Sequence, residues 1–281
     1  WRTLRKAVDT IAPGDVIYAM DGVTAVAEGA FYNSALVLGA GTTATAANPK
    51  ALVAYPGATV TVGTIDGQQR GINLCSGLSS CTDASYWTVA GLTLRALSSA
   101  VNGNAKGIRI VGNDLSCPNG DAASACMELQ KLAAVDDGYR VYGNVVSTAG
   151  KVGATKLYHG VYFSALADHT DVGWNDVNNV RGCRGIQFHD DGGPDMTDLH
   201  VHDNLIHDTV CDGLNLSTVD TDGGPVETFN NVFYNNGEGP QPPEGLSSYT
   251  CVRLASVFGN TASAQFYNNT CFNAGTQGGG T

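Results

Sequence analysis

The sequence predicts an all-β chain wound as a parallel solenoid, and three observations carry that prediction. One pattern, Gly-Φ-x-Φ (Φ apolar, x free), recurs as Gly160-Val161-Tyr162-Phe163, Gly185-Ile186-Gln187-Phe188 and Gly213-Leu214-Asn215-Leu216. Between its copies lies a second, Φ-x-x-Asn-x-Φ, running from Val172 to Val177 around Asn175 and from Val201 to Ile206 around Asn204. Two alternating strand signals every about 25 to 28 residues are the mark of stacked coils. The third observation is composition. The 281 residues include 36 Gly and 43% hydrophobic residues but only 15% charged ones, enough to bury a core and too few Lys, Glu and Arg to clothe exposed helices.

Taken in order, the chain begins with a short amphipathic helix over residues 1–11. Leu4, Ala7, Val8 and Ile11 fall on one face, with Arg5, Lys6 and Asp9 on the other. Placed before the first coil, such a helix would cap the open end of the solenoid. Pro13-Gly14 turns the chain into a strand at Val16–Met20, and further strands are expected at Ala35–Leu38, Ala51–Tyr55 and Ala58–Val62. The coils continue through Gly71–Leu74, a strand at Trp87–Leu94, and the Asn-centred segments at Asn113, Asn144, Asn231 and Asn269. Cys126 and Cys251 take the Gly position in two coils. Residues 12–274 therefore form the solenoid, with eight to ten coils and a length of about 40–50 Å. The repeated Asn residues are expected to stack as an internal amide ladder, tolerating left-handed backbone at the bends. Residues 275–281 read as a polar tail or linker, leading to a further domain or surface anchor beyond Thr281.

The net charge of −11 and the lack of any basic run argue against nucleic acid or an anionic membrane as partner. No apolar run is long enough to insert in a membrane, and because the chain opens at Trp1, a secretion leader would precede it. Eight cysteines without Cys-x-x-Cys spacing point away from zinc. They suit four disulfides in a secreted or cell-surface protein, Cys75–Cys81, Cys117–Cys126, Cys183–Cys211 and Cys251–Cys271, with stacked free thiols as the alternative.

The opening run from Leu4 through Ala7, Val8, Ile11, Pro13-Gly14-Asp15 and Val16-Ile17-Tyr18, followed by Asn48-Pro49 and Tyr55-Pro56-Gly57, resembles that of secreted right-handed parallel β-helix proteins of the polysaccharide-lyase type. The resemblance implies a right-handed parallel β-helix behind a short N-terminal capping helix. It implies an extracellular location and an acidic, uronic-acid-containing polysaccharide as partner.

In a parallel solenoid, equivalent positions of successive coils lie about 5 Å apart, so a site is read as a column. Aligned on the Gly slot, the position before it holds His159, Arg184, Asp212 and Thr250. The x position holds Glu128, Tyr162, Gln187, Asn215 and Arg253, and two residues later come Gln130, Ser164, His189, Ser217 and Ala255. On the strand after Leu199, His200 and His202 alternate with Val201 and share a side, as a metal-binding pair or as solvated histidines. The loop His189 to Asp195 offers Asp190, Asp191 and Asp195 as oxygen ligands for Ca²⁺, or as solvated carboxylates of a Gly-Pro turn.

β-Elimination on a uronate needs a cation for the carboxylate, a base for the C5 proton and an acid for the leaving oxygen. Arg184, with or without Ca²⁺, suits the first role, and Lys156, His159, Tyr162 and His189 suit the others. Glu128, Gln187, Asp212, Asn215 and Arg253 would bind the glycan. Two other readings stay open: a β-helix glycoside hydrolase using paired carboxylates such as Asp190, Asp191 and Asp212, and a non-catalytic rod or glycan-binding module.

Overall fold

The computed structural model describes residues 1–22, 24–25, 33–39, 41–75, 83–130, 137–164, 167–189, 196–245, 249–259 and 263–275. Its strands form three sheets, of nine, nine and eight strands, and every pairing between successive coils is parallel. Sheet one runs from Val16–Ala19 to Gln265–Tyr267, sheet two from Thr24–Ala25 to Thr270–Phe272, and sheet three from Ser34–Leu38 to Val252–Phe258. The chain visits the sheets in turn, giving eight complete coils and two strands of a ninth. It is a parallel β-helix.

Each coil thus has three strands where the sequence pattern suggested two. The Φ-x-x-Asn-x-Φ segment is not one strand but a corner: Val172 lies in Thr170–Gly173 and Val177 in Asp176–Val180. The expected strand Trp87–Leu94 divides the same way at Gly91, into Trp87–Ala90 and Thr93–Arg95. The bend falls on the residue before each ladder Asn, which takes left-handed backbone: Gly112 (φ 62°), Gly143 (63°), Trp174 (58°), Asp203 (53°), Asn230 (56°) and Asn268 (54°). The Asn residues themselves are the ladder. The backbone N–H and Nδ2 of Asn144 donate to Oδ1 of Asn175 at 3.0 and 2.9 Å, and Nδ2 also donates to the Ile110 carbonyl at 2.8 Å. The same set repeats from Asn113 through Asn175, Asn204 and Asn231 to Asn269. It satisfies backbone groups that the bend takes out of the sheets, where an unpaired buried group costs about 1–3 kcal/mol.

Steps along this ladder are 31, 31, 29, 27 and 38 residues. The sheets keep their register while the connections absorb the difference. Side chains alternate in and out of the solenoid, and the inward set, including Val141, Val172, Val201, Phe163 and Phe188, is buried as one continuous core. Phe163 and Phe188 stack with centroids 4.6 Å apart.

The helix is shorter than its apolar spacing suggested, spanning Leu4–Val8 with Thr3 as N-cap. Pro13 explains the early stop: it disfavours helical backbone at Ala12, whose N–H goes instead to the Asp15 carboxylate at 2.8 Å. Leu4, Ala7, Val8 and Ile11 are all buried against the first coil. Among the described residues, disulfides join Cys117 to Cys126, Cys183 to Cys211 and Cys251 to Cys271. Cys81 and residues 276–281 lie outside the described residues, so the expected Cys75–Cys81 bridge and most of the polar tail do too. Among the described residues no helix is long and apolar enough to cross a membrane.

The outer faces of sheets one and two carry carboxylates bridged by histidines. His200 contacts Glu227 through Nδ1 (3.1 Å) and Asp198 through Nε2 (3.2 Å), and His202 contacts Asp203 and Asp171, both at 2.8 Å. Among the described residues, no three His, Cys, Asp or Glu side chains form a metal-binding group. Burial pushes the Asp198 carboxyl up, but hydrogen bonds from His169 and His200 outweigh it and hold the group below the usual aspartate range. Asp208 is lowered in the same way by Asn235 and His207, against burial. The unfolded chain then holds these protons more tightly than the folded one. The stability they supply is complete above the ordinary Asp value of about 3.9 and is lost as pH falls through the lower folded values. The urea midpoint is therefore expected to drop on acidification from about pH 5 towards about pH 2, and to drop less in Asp198→Asn. Equal acid sensitivity in the two proteins would refute this assignment.

Candidate functional site

The x column of sheet three is in continuous register: Asn102, Glu128, Tyr162, Gln187, Asn215 and Arg253 pair side by side across six strands. At about 4.8 Å per strand, Glu128 and Arg253 stand about 19 Å apart. The Gly slot makes this stacking possible. A Cβ on Gly160 would lie 2.6 Å from the Gly185 carbonyl, and one on Gly185 would lie 2.5 Å from that of Gly213, so the coils meet there without side chains.

A cleft of about 510 Å³ opens on this column. Of the residues expected from sequence, it brings together Glu128, His159, Tyr162, Arg184, Gln187, His189, Asn215 and Arg253. Ser217 and Ala255, also expected on this face, line it too. A bulge after Leu216 sets Ser217 opposite Ser256 rather than Ala255.

Arg184 is 8% exposed and held from two sides. Its Nε donates to Asp212 Oδ2 at 3.1 Å and its Nη1 to Gln187 Oε1 at 2.7 Å. Burial lowers the guanidinium pKa and the Asp212 charge opposes that shift. An arginine has ample margin, so it remains a cation at neutral pH. Asp212 is not on the cleft wall, contrary to its expected glycan-binding role. It is fully buried and also accepts from the backbone N–H and Oγ1 of Thr250, both at 3.1 Å. It positions Arg184. The Cys183–Cys211 disulfide joins the neighbouring residues of this pair, so the two connections carrying it are covalently tied.

His159 is 3% exposed, and its Nδ1 accepts the Arg184 backbone N–H at 3.4 Å. Burial, followed by the charges of Arg184 and His189, drives its pKa well below the ordinary histidine value. The ring is neutral, with its proton on Nε2. His159 therefore serves the cleft as a hydrogen-bond donor rather than as a base. Tyr162 donates its hydroxyl to the His189 carbonyl at 3.0 Å, and its oxygen lies 3.4 Å from His189 Nδ1. Glu128 is braced by Asn102 Nδ2 at 2.6 Å and Ser124 Oγ at 2.8 Å.

Lys156 does not line the cleft. It sits in the connection 150–157, where its backbone N–H donates to Glu244 at 3.2 Å, and Leu157 takes the place on the wall. Glu244 belongs to the connection 237–251, so two long connections meet beside the two short ones that carry Arg184 and Asp212. Asp190, Asp191 and Asp195, the expected Ca²⁺ ligands, lie outside the described residues. Sequence reasoning missed Ser124 and Asn102 as braces and Ala123 and Leu157 as wall residues. Ala123 and Leu157 come from connections of variable length, where a column alignment gives no signal. Asn102 stands in the x column without a preceding Gly-Φ, since Val101 follows Ala100.

Fold and site together define a parallel β-helix with a polar, arginine-bearing cleft on one sheet. No known protein family matches the chain, and no curated protein does. A solved structure similar to it is an alginate lyase from Paenibacillus sp. str. FPU-7, at 14% identity over 96% of each chain with a TM-score of 0.49. The fold assignment rests on the strand pairing described above.

Proposed function

We propose that the protein is a polysaccharide lyase that cleaves an acidic, uronate-containing glycan by β-elimination in the cleft of sheet three. The observation that carries this reading is Arg184: a buried, charged guanidinium fixed by Asp212 and Gln187 in the wall of a cleft that also holds Tyr162 and His189. A preorganised cation of this kind stabilises the negative charge that grows on a uronate carboxylate as its C5 proton leaves. His159 adds a neutral N–H donor to the same developing charge.

In this reading His189 takes the C5 proton on Nε2, and the C–H electrons form the C4–C5 double bond as the C4–O bond breaks. Tyr162 gives its hydroxyl proton to the departing oxygen. His189 then passes its Nδ1 proton to the Tyr162 oxygen 3.4 Å away, which restores the tyrosine, and exchange of the Nε2 proton with water returns the histidine to its starting tautomer. No step is assigned to Lys156, which stands off the wall, or to Ca²⁺. Glu128 is the one carboxylate among the described wall residues. Of the carboxylates a two-carboxylate hydrolase would use, Asp212 is buried behind Arg184, and Asp190 and Asp191 lie outside the described residues. The disulfides favour an oxidising compartment and hence an extracellular site of action.

The test is ultraviolet absorbance of the unsaturated uronide on alginate, pectate, chondroitin and glucuronan, each with Ca²⁺ and with a chelator. Rising absorbance that is lost in Tyr162→Phe supports the assignment. Reducing ends formed without absorbance would indicate hydrolysis instead, and no new ends on any polymer would leave a binding rod as the better account.

A further inference from the structure

The cleft is electrically lopsided along its length. Arg253 stands at one end and Arg184 on the middle rung, with Gln187 Oε1 already engaged by Arg184, so the groups left to offer from the middle to that end are donors and positive charge. At the other end stands Glu128, whose Oε2 takes both Asn102 Nδ2 and Ser124 Oγ. This end offers acceptors and negative charge. Between Gln187 and Arg253, Asn215 is almost fully buried at 2% exposed, so it adds no charge to this half of the cleft.

A homopolymer of uronates would lay one carboxylate per ring along this column and set one of them against Glu128. Resting on the elimination reading, we infer that the natural substrate is a mixed glycan. It would place uronate from the Arg184 rung towards Arg253 and a ring without a carboxylate, a neutral or amino sugar rich in hydroxyl or N–H donors, at Glu128. Glu128 thus acts as a specificity residue that rejects a second acid.

The experiment compares initial rates, and calorimetric binding at neutral pH, on an alternating uronate–N-acetylhexosamine polymer and on a homopolyuronate. Both are measured for the wild type and for Glu128→Gln. The substitution keeps the acceptor that Asn102 and Ser124 need, so the fold is retained. Wild type is expected to prefer the mixed polymer by about tenfold or more, and Glu128→Gln to narrow that ratio by raising activity and affinity on the homopolymer. Equal wild-type preference, or a ratio unmoved by Glu128→Gln, overturns the inference. Failure of elimination itself is separately visible: neither polymer gives absorbance, yet calorimetry still reads the preference. Binding of neither polymer overturns the inference as well.

Discussion

Arg184→Ala is expected to slow formation of the unsaturated product by about 10²- to 10³-fold, the usual effect of removing a preorganised group that meets charge in the transition state. The loss should fall on kcat more than on KM, because Arg253 and the amides of Gln187 and Asn215 still hold the chain. Arg184→Lys should recover only part of the rate. An ammonium keeps the charge but cannot span Asp212 and Gln187 with a rigid fork. Steady-state kinetics with the absorbance assay measures both. A rate within threefold of wild type in Arg184→Ala would remove this residue from the mechanism.

Asp212→Ala is expected to cost about 3–5 kcal/mol of folding stability, because it leaves a guanidinium buried without its partner. The carboxylate also receives two bonds from Thr250, which lose their acceptor at the same time. Urea denaturation followed by circular dichroism gives the number. Combining Asp212→Ala with Arg184→Met should return part of the loss, since no stranded charge then remains. If the double variant were less stable than Asp212→Ala alone, the pair would not be the source of the effect.

The fold was legible because two short patterns report the same period. Gly-Φ-x-Φ marks the point where coils meet backbone to backbone, as Gly160 and Gly185 do, and a side chain there is excluded by contact. The Asn pattern reports a corner. It looked like one strand because the left-handed residue that splits it is a different amino acid in successive coils, Gly143, Trp174 and then Asp203. The x column could be read from the chain alone because register fixes it once the Gly slots are aligned. The position before the slot was harder. It lies at the entry to the sheet, where His159, Arg184 and Asp212 are all buried, and of these His159 and Arg184 line the cleft while Asp212 pairs with Arg184 behind it. Lys156 was hard to place for a related reason: it belongs to a connection whose length varies between coils, so nothing in the repeat fixes its direction.

The stacking of coils also separates two kinds of inheritance. Each rung contributes one x residue to a different stretch of a bound chain, so an exchange at Glu128, Asn215 or Arg253 rewrites one sugar's environment and leaves its neighbours alone. Arg184, the cation of the proposed mechanism, is instead locked to the next rung through Asp212 and the Cys183–Cys211 disulfide. If the cleft works as proposed, taste in substrate can therefore drift rung by rung while the chemistry stays fixed.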